Sequence, residues 1–198
     1  MPRLQSEPTL LSEECLLQPE SAVFARHQWW VMHTKPRAEK ALARDLHEQQ
    51  RHYFLPVLEK RKLLRGRVHT SFLPLFPGYL FLFGTQEDRL LALKTNRIVH
   101  CLEVKEQHEL LTDLQRVYWL MQSGEAITPE DKLAPGDPVE IVHGALKGLT
   151  GTVLRRNHQL RLQVEVRLLQ RGVSVEVESW MIEATGTLEQ RPRVLMRA

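Results

Sequence analysis

Cysteine is scarce in this chain: only Cys15 and Cys101, far apart in sequence and with no CxxC or Cys/His spacing. Neither a disulfide framework nor a zinc site is signalled, and no metal or cofactor is expected; a reducing cytoplasm is the compartment that fits. Long apolar runs are missing too, since nothing approaches the ~20 residues of a membrane span. The first 28 residues carry two basic and four acidic side chains without a continuous apolar stretch, which is not the make-up of a signal peptide. Catalytic signatures are also lacking. Nine histidines are present, but there is no HExxH, no P-loop, no GxSxG and no Cys-His pair with a local signature. Isolated histidines such as His52, His69 and His108 are commonplace surface residues, so the expectation is a protein that is not an enzyme. No low-complexity tract and no long repeat is visible.

What is present is 198 residues, 42% apolar and 26% charged, enough for one respectable core or two small ones. The net charge is only +3, yet Lys35 to Arg67 holds ten basic against four acidic residues. One segment carries the basic character, which points to a local anionic partner.

Five units are expected along the chain. Residues 1–28 read as a tail. Residues 29–122 read as strand, helix, strands, helix, strand, helix: an α+β fold with one antiparallel sheet and packed helices. WWVMHT is a β-type run, and in RAEKALARDLHEQQ the residues Ala38, Ala41, Leu42 and Leu46 recur at helical spacing while Arg37, Lys40, Arg44 and Arg51 fall elsewhere. Tyr53–Leu58 reads as a strand, Gly66 as a hairpin turn, and EDRLLALKT as a short helix. A strand follows from Ile98 to Val104. Glu106–Gln122 then reads as a longer helix, with Leu110, Leu111, Leu114, Val117, Tyr118 and Met121 on its apolar side. Residues 123–134 have the small polar composition of a linker. Residues 135–186 lose the helical period and become short alternating strands separated by turn residues, the pattern of a small all-β barrel. Residues 187–198 read as a basic end.

The stretch LFPGYLFLF, residues 75–83, is apolar on both faces: Tyr79, Phe81 and Phe83 alternate with Leu80 and Leu82. A strand in a sheet covered on one side normally shows polar residues on the other, so its second face needs cover. A misplaced helix, the other domain or a docked protein could supply it.

Three stretches together resemble the NusG family of bacterial transcription elongation factors, and within it the specialised RfaH/UpxY-like paralogs. They are WWVMHTKPRAEKALARDL, PLFPGYLFLF and PGDPVEIVHGALKGLTGTV, the last similar to the KOW motif. The resemblance spans about Trp29 to Ala184. It implies a NusG-type first domain that grips the clamp helices of the largest RNA polymerase subunit through Phe76, Pro77, Gly78, Tyr79 and Phe81, suppressing pausing or termination. It also implies that Lys35, Arg37, Lys40 and Arg44, with His33 and Arg97, lie toward upstream or non-template DNA, in contacts that need only cationic tips facing phosphate. For the C-terminal unit it implies a KOW barrel built on Gly136, Asp137, Val139, Gly144, Gly148, Gly151 and Val153, with Ile141 and Leu149 also in its interior. That barrel would meet a small-subunit ribosomal protein or Rho through Leu168, Leu169 and Arg171. The chain departs from the family pattern at Leu169, where an aromatic is common, and at Ile98, where glycine is usual. A monomer is expected.

The family's RfaH branch can fold this unit as a helical hairpin that masks the grip, but the alternating valines of LRLQVEVRLL and VSVEVESW favour a constitutive barrel. The rival function is a KOW-containing RNA-binding, ribosome-associated protein. It would place the basic residues on the barrel, whereas residues from Pro135 onward hold nine basic and seven acidic side chains.

Overall fold

The computed structural model describes residues 14–17, 25–64, 66–130, 132, 136–156 and 159–185, and the expected C-terminal tail lies outside them, as does most of the N-terminal one. The fold is α+β. Strand β1 (Gln28–Thr34) is the third of four in an antiparallel sheet ordered β2-β5-β1-β6, with β2 His52–Phe54, β5 Tyr79–Gly84 and β6 Ile98–Leu102. The register pairs Trp29 with Phe83, Val31 with Phe81 and His33 with Tyr79 on one face, and Trp30 with Leu82 and Met32 with Leu80 on the other. Alternation therefore sends large apolar side chains both ways.

Helices of the same chain cover both faces. On the first, α4 (Gln107–Gln122) lays Leu110, Leu114, Val117 and Leu120 against Trp29, Val31, Phe54, Phe81 and Phe83. On the second, α2 (Glu39–Glu48) contributes Leu42, Ala43 and Leu46, and α3 (Gln86–Lys94) contributes Ala92, beside Trp30, Met32, Tyr53, Leu80 and Leu82. The doubly apolar strand is thus central core, and burying each of these side chains is worth about 1.5–3 kcal/mol. Helix α3 starts on a capping box in which Thr85 and Asp88 exchange hydrogen bonds.

Between β2 and β5 the chain makes a separate two-stranded ribbon, β3 (Val57–Leu64) with β4 (Arg67–Pro74), turning at Gly66. Pro56, which follows Leu55 and has no N–H, marks the break between β2 and β3 that a continuous Tyr53–Leu58 strand does not anticipate. Within the segment read as a tail, Glu14–Leu17 forms a single helical turn, α1. Cys15 and Leu16 are buried there, and Gln115 of α4 donates to the Leu16 carbonyl at 2.7 Å.

The C-terminal unit is all β: a six-stranded antiparallel sheet ordered β12-β8-β9-β10-β11-β7. Its strands are β7 Thr128–Glu130, β8 Asp137–Ile141, β9 Thr150–Arg156, β10 Gln159–Val166, β11 Arg171–Val177 and β12 Ile182–Ala184. Val139, Ile141, Leu149, Leu162, Val164, Val173 and Val175 are buried. Gly151 is required by close approach, because a β-carbon there would lie 2.5 Å from the Gln163 carbonyl oxygen. Strand β7 falls inside the stretch whose composition reads as a linker; it pairs with β11. The two units are in contact. The apolar cluster under α4 runs on into the C-terminal sheet, and β10 packs on α4.

Candidate partner-binding surface at the Phe-Pro-Gly turn

The turn Phe76-Pro77-Gly78-Tyr79 closes with the Tyr79 N–H donating to the Phe76 carbonyl at 3.0 Å. Proline supplies the fixed φ of its first central position and Gly78, at φ +86°, the left-handed second one, as a type II turn demands. Two further bonds hold it: Thr34 N–H donates to the Gly78 carbonyl at 2.8 Å, and Gly78 N–H donates to Glu39 Oε1 at 2.6 Å. Glu39 is buried in the first turn of α2, where the helix dipole favours a carboxylate. Its neighbour Arg37 has φ +62°, so α2 begins two residues later than the sequence pattern implies.

The five aromatic-turn residues do not share one environment. Phe76 and Phe81 are 2% and 0% exposed and meet edge to face at 6.1 Å. Tyr79 is half-buried and stacks on His33 with ring centres 5.1 Å apart. His33, grouped by sequence with the DNA-facing cations, thus sits at the aromatic turn. Of the other five, Lys35 bonds Asn96 at 3.0 Å and Arg97 pairs with Asp45 at 2.5 Å. The hydrogen bond to Asp45, then its charge, holds the Arg97 pKa above the ordinary value. Arg37 and Arg44 are exposed and Lys40 half-buried.

Beside the turn is a cleft of about 730 Å³ whose apolar lining includes Leu58, Leu73, Leu75 and Pro77, with Arg37, Lys40 and Lys60 among its charged residues. Arg37 and Lys40 line this cleft together with residues of the ribbon, which residue spacing alone does not reveal.

The loop between β10 and β11 lies on the same turn. Arg171 donates from Nη1 to the Pro77 carbonyl at 3.1 Å, and its guanidinium carbon sits 5.4 Å from the centre of the Tyr79 ring. Arg167 opens a 3₁₀ turn, Arg167–Leu169. Its backbone N–H donates to Asp113 of α4 at 3.0 Å, its side chain reaches the same carboxylate at 3.1 Å, and Glu109 lies at 3.1 Å. The Asp113 side chain is 1% exposed, and its hydrogen bond is the main cause of the raised Arg167 pKa. Leu168 is exposed and Leu169 half-buried. Asp113 escapes a search for functional residues because it lies on an otherwise apolar helix face beside a local Arg116, 3.8 Å away, and only the folded chain brings Arg167 to it.

Residues 27–118 match the family model described as transcription termination factor NusG. These residues are a NusG-family domain. The match takes in the four-stranded sheet, the ribbon, α2, α3 and most of α4. NusG proteins are transcription factors of elongation and termination and generally bind RNA polymerase. A comparison with curated proteins finds no match. Among the described residues no helix is long and apolar enough to cross a membrane.

Proposed function

We propose that this NusG-family chain is an elongation and antitermination factor of the RfaH/UpxY-like kind. Its NusG domain would ride on the clamp helices of the largest RNA polymerase subunit, suppressing pausing or termination. The observation that carries this is the Phe-Pro-Gly turn. A partly exposed aromatic, Tyr79, is held in a turn fixed by a buried carboxylate and two backbone bonds, and Pro77 of the same turn lines an apolar cleft. A preorganised aromatic beside an apolar depression is the usual anatomy of a binding hot spot. Phe76 and Phe81 support Tyr79 from beneath. Lys35, Arg37, Lys40 and Arg44 would meet DNA phosphates as the factor sits on the enzyme, with His33 and Arg97 serving the turn and α2 respectively.

The C-terminal sheet, with Gly136 just before β8, Gly144 and Gly148 in the turn between β8 and β9, and Asp137, Val139, Gly151 and Val153 on its strands, would act as a KOW module. It would recruit a small-subunit ribosomal protein or Rho through Leu168, Leu169 and Arg171. The same loop rests on the Tyr79 turn, so the docked arrangement is the closed form of the factor. It is a β-form mask, with no refolding into helices.

The test is binding of the full chain to a helical-hairpin peptide bearing the clamp helices, comparing wild type with Tyr79→Ala. The expected loss is about 2 kcal/mol, roughly thirty-fold in Kd. Equal binding by a Tyr79→Ala protein with an unchanged unfolding midpoint would overturn the proposal. Phe81→Ala is no substitute, since that side chain is fully buried and its loss would first destabilise the core.

A further inference from the structure

The last helix of the NusG domain ends at Gln122 and the first strand of the C-terminal motif begins at Asp137. The chain between them is not used as a simple spacer. Thr128, Pro129 and Glu130 form β7, paired with Ser174, Val173 and Gly172 of β11 at the edge of the sheet. A polar chain helps to fasten this strand. Arg161 Nε donates to Ser174 Oγ at 3.0 Å, and Ser174 Oγ donates to the buried Glu130 carboxylate at 2.7 Å. Arg161 Nη2 also donates to Thr128 Oγ1 at 2.8 Å.

The attachment is slight by physical standards. Three residues span it, and Pro129 has no N–H to give the ladder. Glu130 is a carboxylate placed out of water, which costs free energy unless its partners stay in place. Space remains on both sides. A cavity of about 460 Å³ lies between Glu125, Ala126 and Thr128 and the C-terminal residues Val175 of β11 and Met181, while Ile127 and Pro129 border the cleft on the NusG domain. Short, edge-placed, poorly packed elements occupy the low-stability end of a native structure.

We propose that residues 128–130 are a detachable strap that sets the length of the tether between the two units. With the strap paired, the sheet hangs from α4 by the five residues 123–127, a reach of at most ~17 Å. With it released, the tether is the fourteen residues 123–136, a reach of at most ~48 Å. The same change lowers the effective concentration of the C-terminal sheet at the NusG domain by about five-fold, on the −3/2 power of tether length. Strap release is therefore a graded control on docking that needs no change in the sheet's own fold, and it acts whatever partner Tyr79 takes.

The experiment uses the full chain with Asp113→Asn and Arg167→Ala, which removes the direct ion pair between the units. It adds Cys101→Ser; Cys15 is buried with its thiol pushed up to about 12 and so takes no part in thiol chemistry at neutral pH. In this background the strap is locked by a disulfide formed after Pro129→Cys and Val173→Cys, or freed by Glu130→Ala with Ser174→Ala. Small-angle scattering reads the maximum dimension, and hydrogen exchange reads β9 and β10. The freed protein is expected to exceed the locked one by about 20 Å, with β9 and β10 equally protected in both. Equal dimensions for the two would overturn the strap. Loss of β9 and β10 protection in the freed protein would also overturn it, because β7 would then be an integral part of the sheet.

Discussion

Glu39 does at one position what a list of charges conceals. In sequence it is an acidic residue in a basic segment; in the fold it is 6% exposed and accepts the Gly78 N–H at 2.6 Å. That bond joins the start of α2 to the turn bearing Tyr79, so one carboxylate sets the aromatic's position. Glu39→Ala leaves the Gly78 N–H without its acceptor, and a hydrogen bond to a charged group is worth roughly 2 kcal/mol. The expected result is a loss of that size in urea unfolding, with faster exchange of the Gly78 amide. Glu39→Gln keeps an acceptor and should lose less than half as much. Equal effects of the two would mean that the charge at the helix start, and not the bond to the turn, is what matters. Gly78→Ala probes the same turn by another route. A β-carbon would find only ordinary contact with His33, at 3.6 Å, but φ +86° is unfavourable for alanine, with an expected cost of about 1 kcal/mol.

At the scale of elements, helix α4 joins the two units through a charge. Arg167→Ala removes the side-chain donors to Asp113, a carboxylate whose side chain is 1% exposed and which keeps the residue 167 N–H at 3.0 Å and Arg116 at 3.8 Å, at an expected cost of about 1.5–3 kcal/mol. Asp113→Leu combined with Arg167→Leu removes both charges and should recover much of the loss. Denaturant curves of the single and double variants, followed by a probe on each unit, check this; a double variant no better than Arg167→Ala would put the cost elsewhere. This pair also marks where legibility in sequence ends. The strands of GYLFLF and WWVMHT and helices α2, α3 and α4 are written in local periodicity, and all appear within about two residues of the expected bounds. Both-sided apolarity of β5 signals that two faces need cover, but the cover is α4 on one side and α2 with α3 on the other, and a docked partner is not what completes the second face. Asp113, Glu39, α1 and β7 carry no such signal. Each owes its place to a partner at least 39 residues away in the chain, and no window of sequence contains both ends of such a contact. The turn at residues 76–79 was legible because its chemistry is local. The stacking of His33 on Tyr79 was not, since it depends on the register of β1 against β5.

For the whole molecule, the loop that would recruit the KOW partner and the turn that would meet RNA polymerase cover each other through Arg171, the Pro77 carbonyl and the Tyr79 ring. Two ligands that each require the open form must favour one another's binding, and by the same factor. The size of that coupling is bounded by the free energy that holds the units together, since a ligand shifts the equilibrium only as far as its preference for the open state allows. Arg171→Ala removes the cation over Tyr79 and the bond to Pro77 without touching the buried Asp113. If the closed form is favoured, it should raise the affinity of the full chain for the clamp-helix peptide several-fold, while shrinking the help given by a ligand of the C-terminal sheet. Titrating the peptide into wild-type and Arg171→Ala protein, with and without a saturating ribosomal-protein ligand, measures both effects in one square of four affinities. Arg171→Ala that weakens peptide binding would instead make Arg171 part of the polymerase-binding surface, and mutual occlusion would then be the wrong account of why the two faces meet.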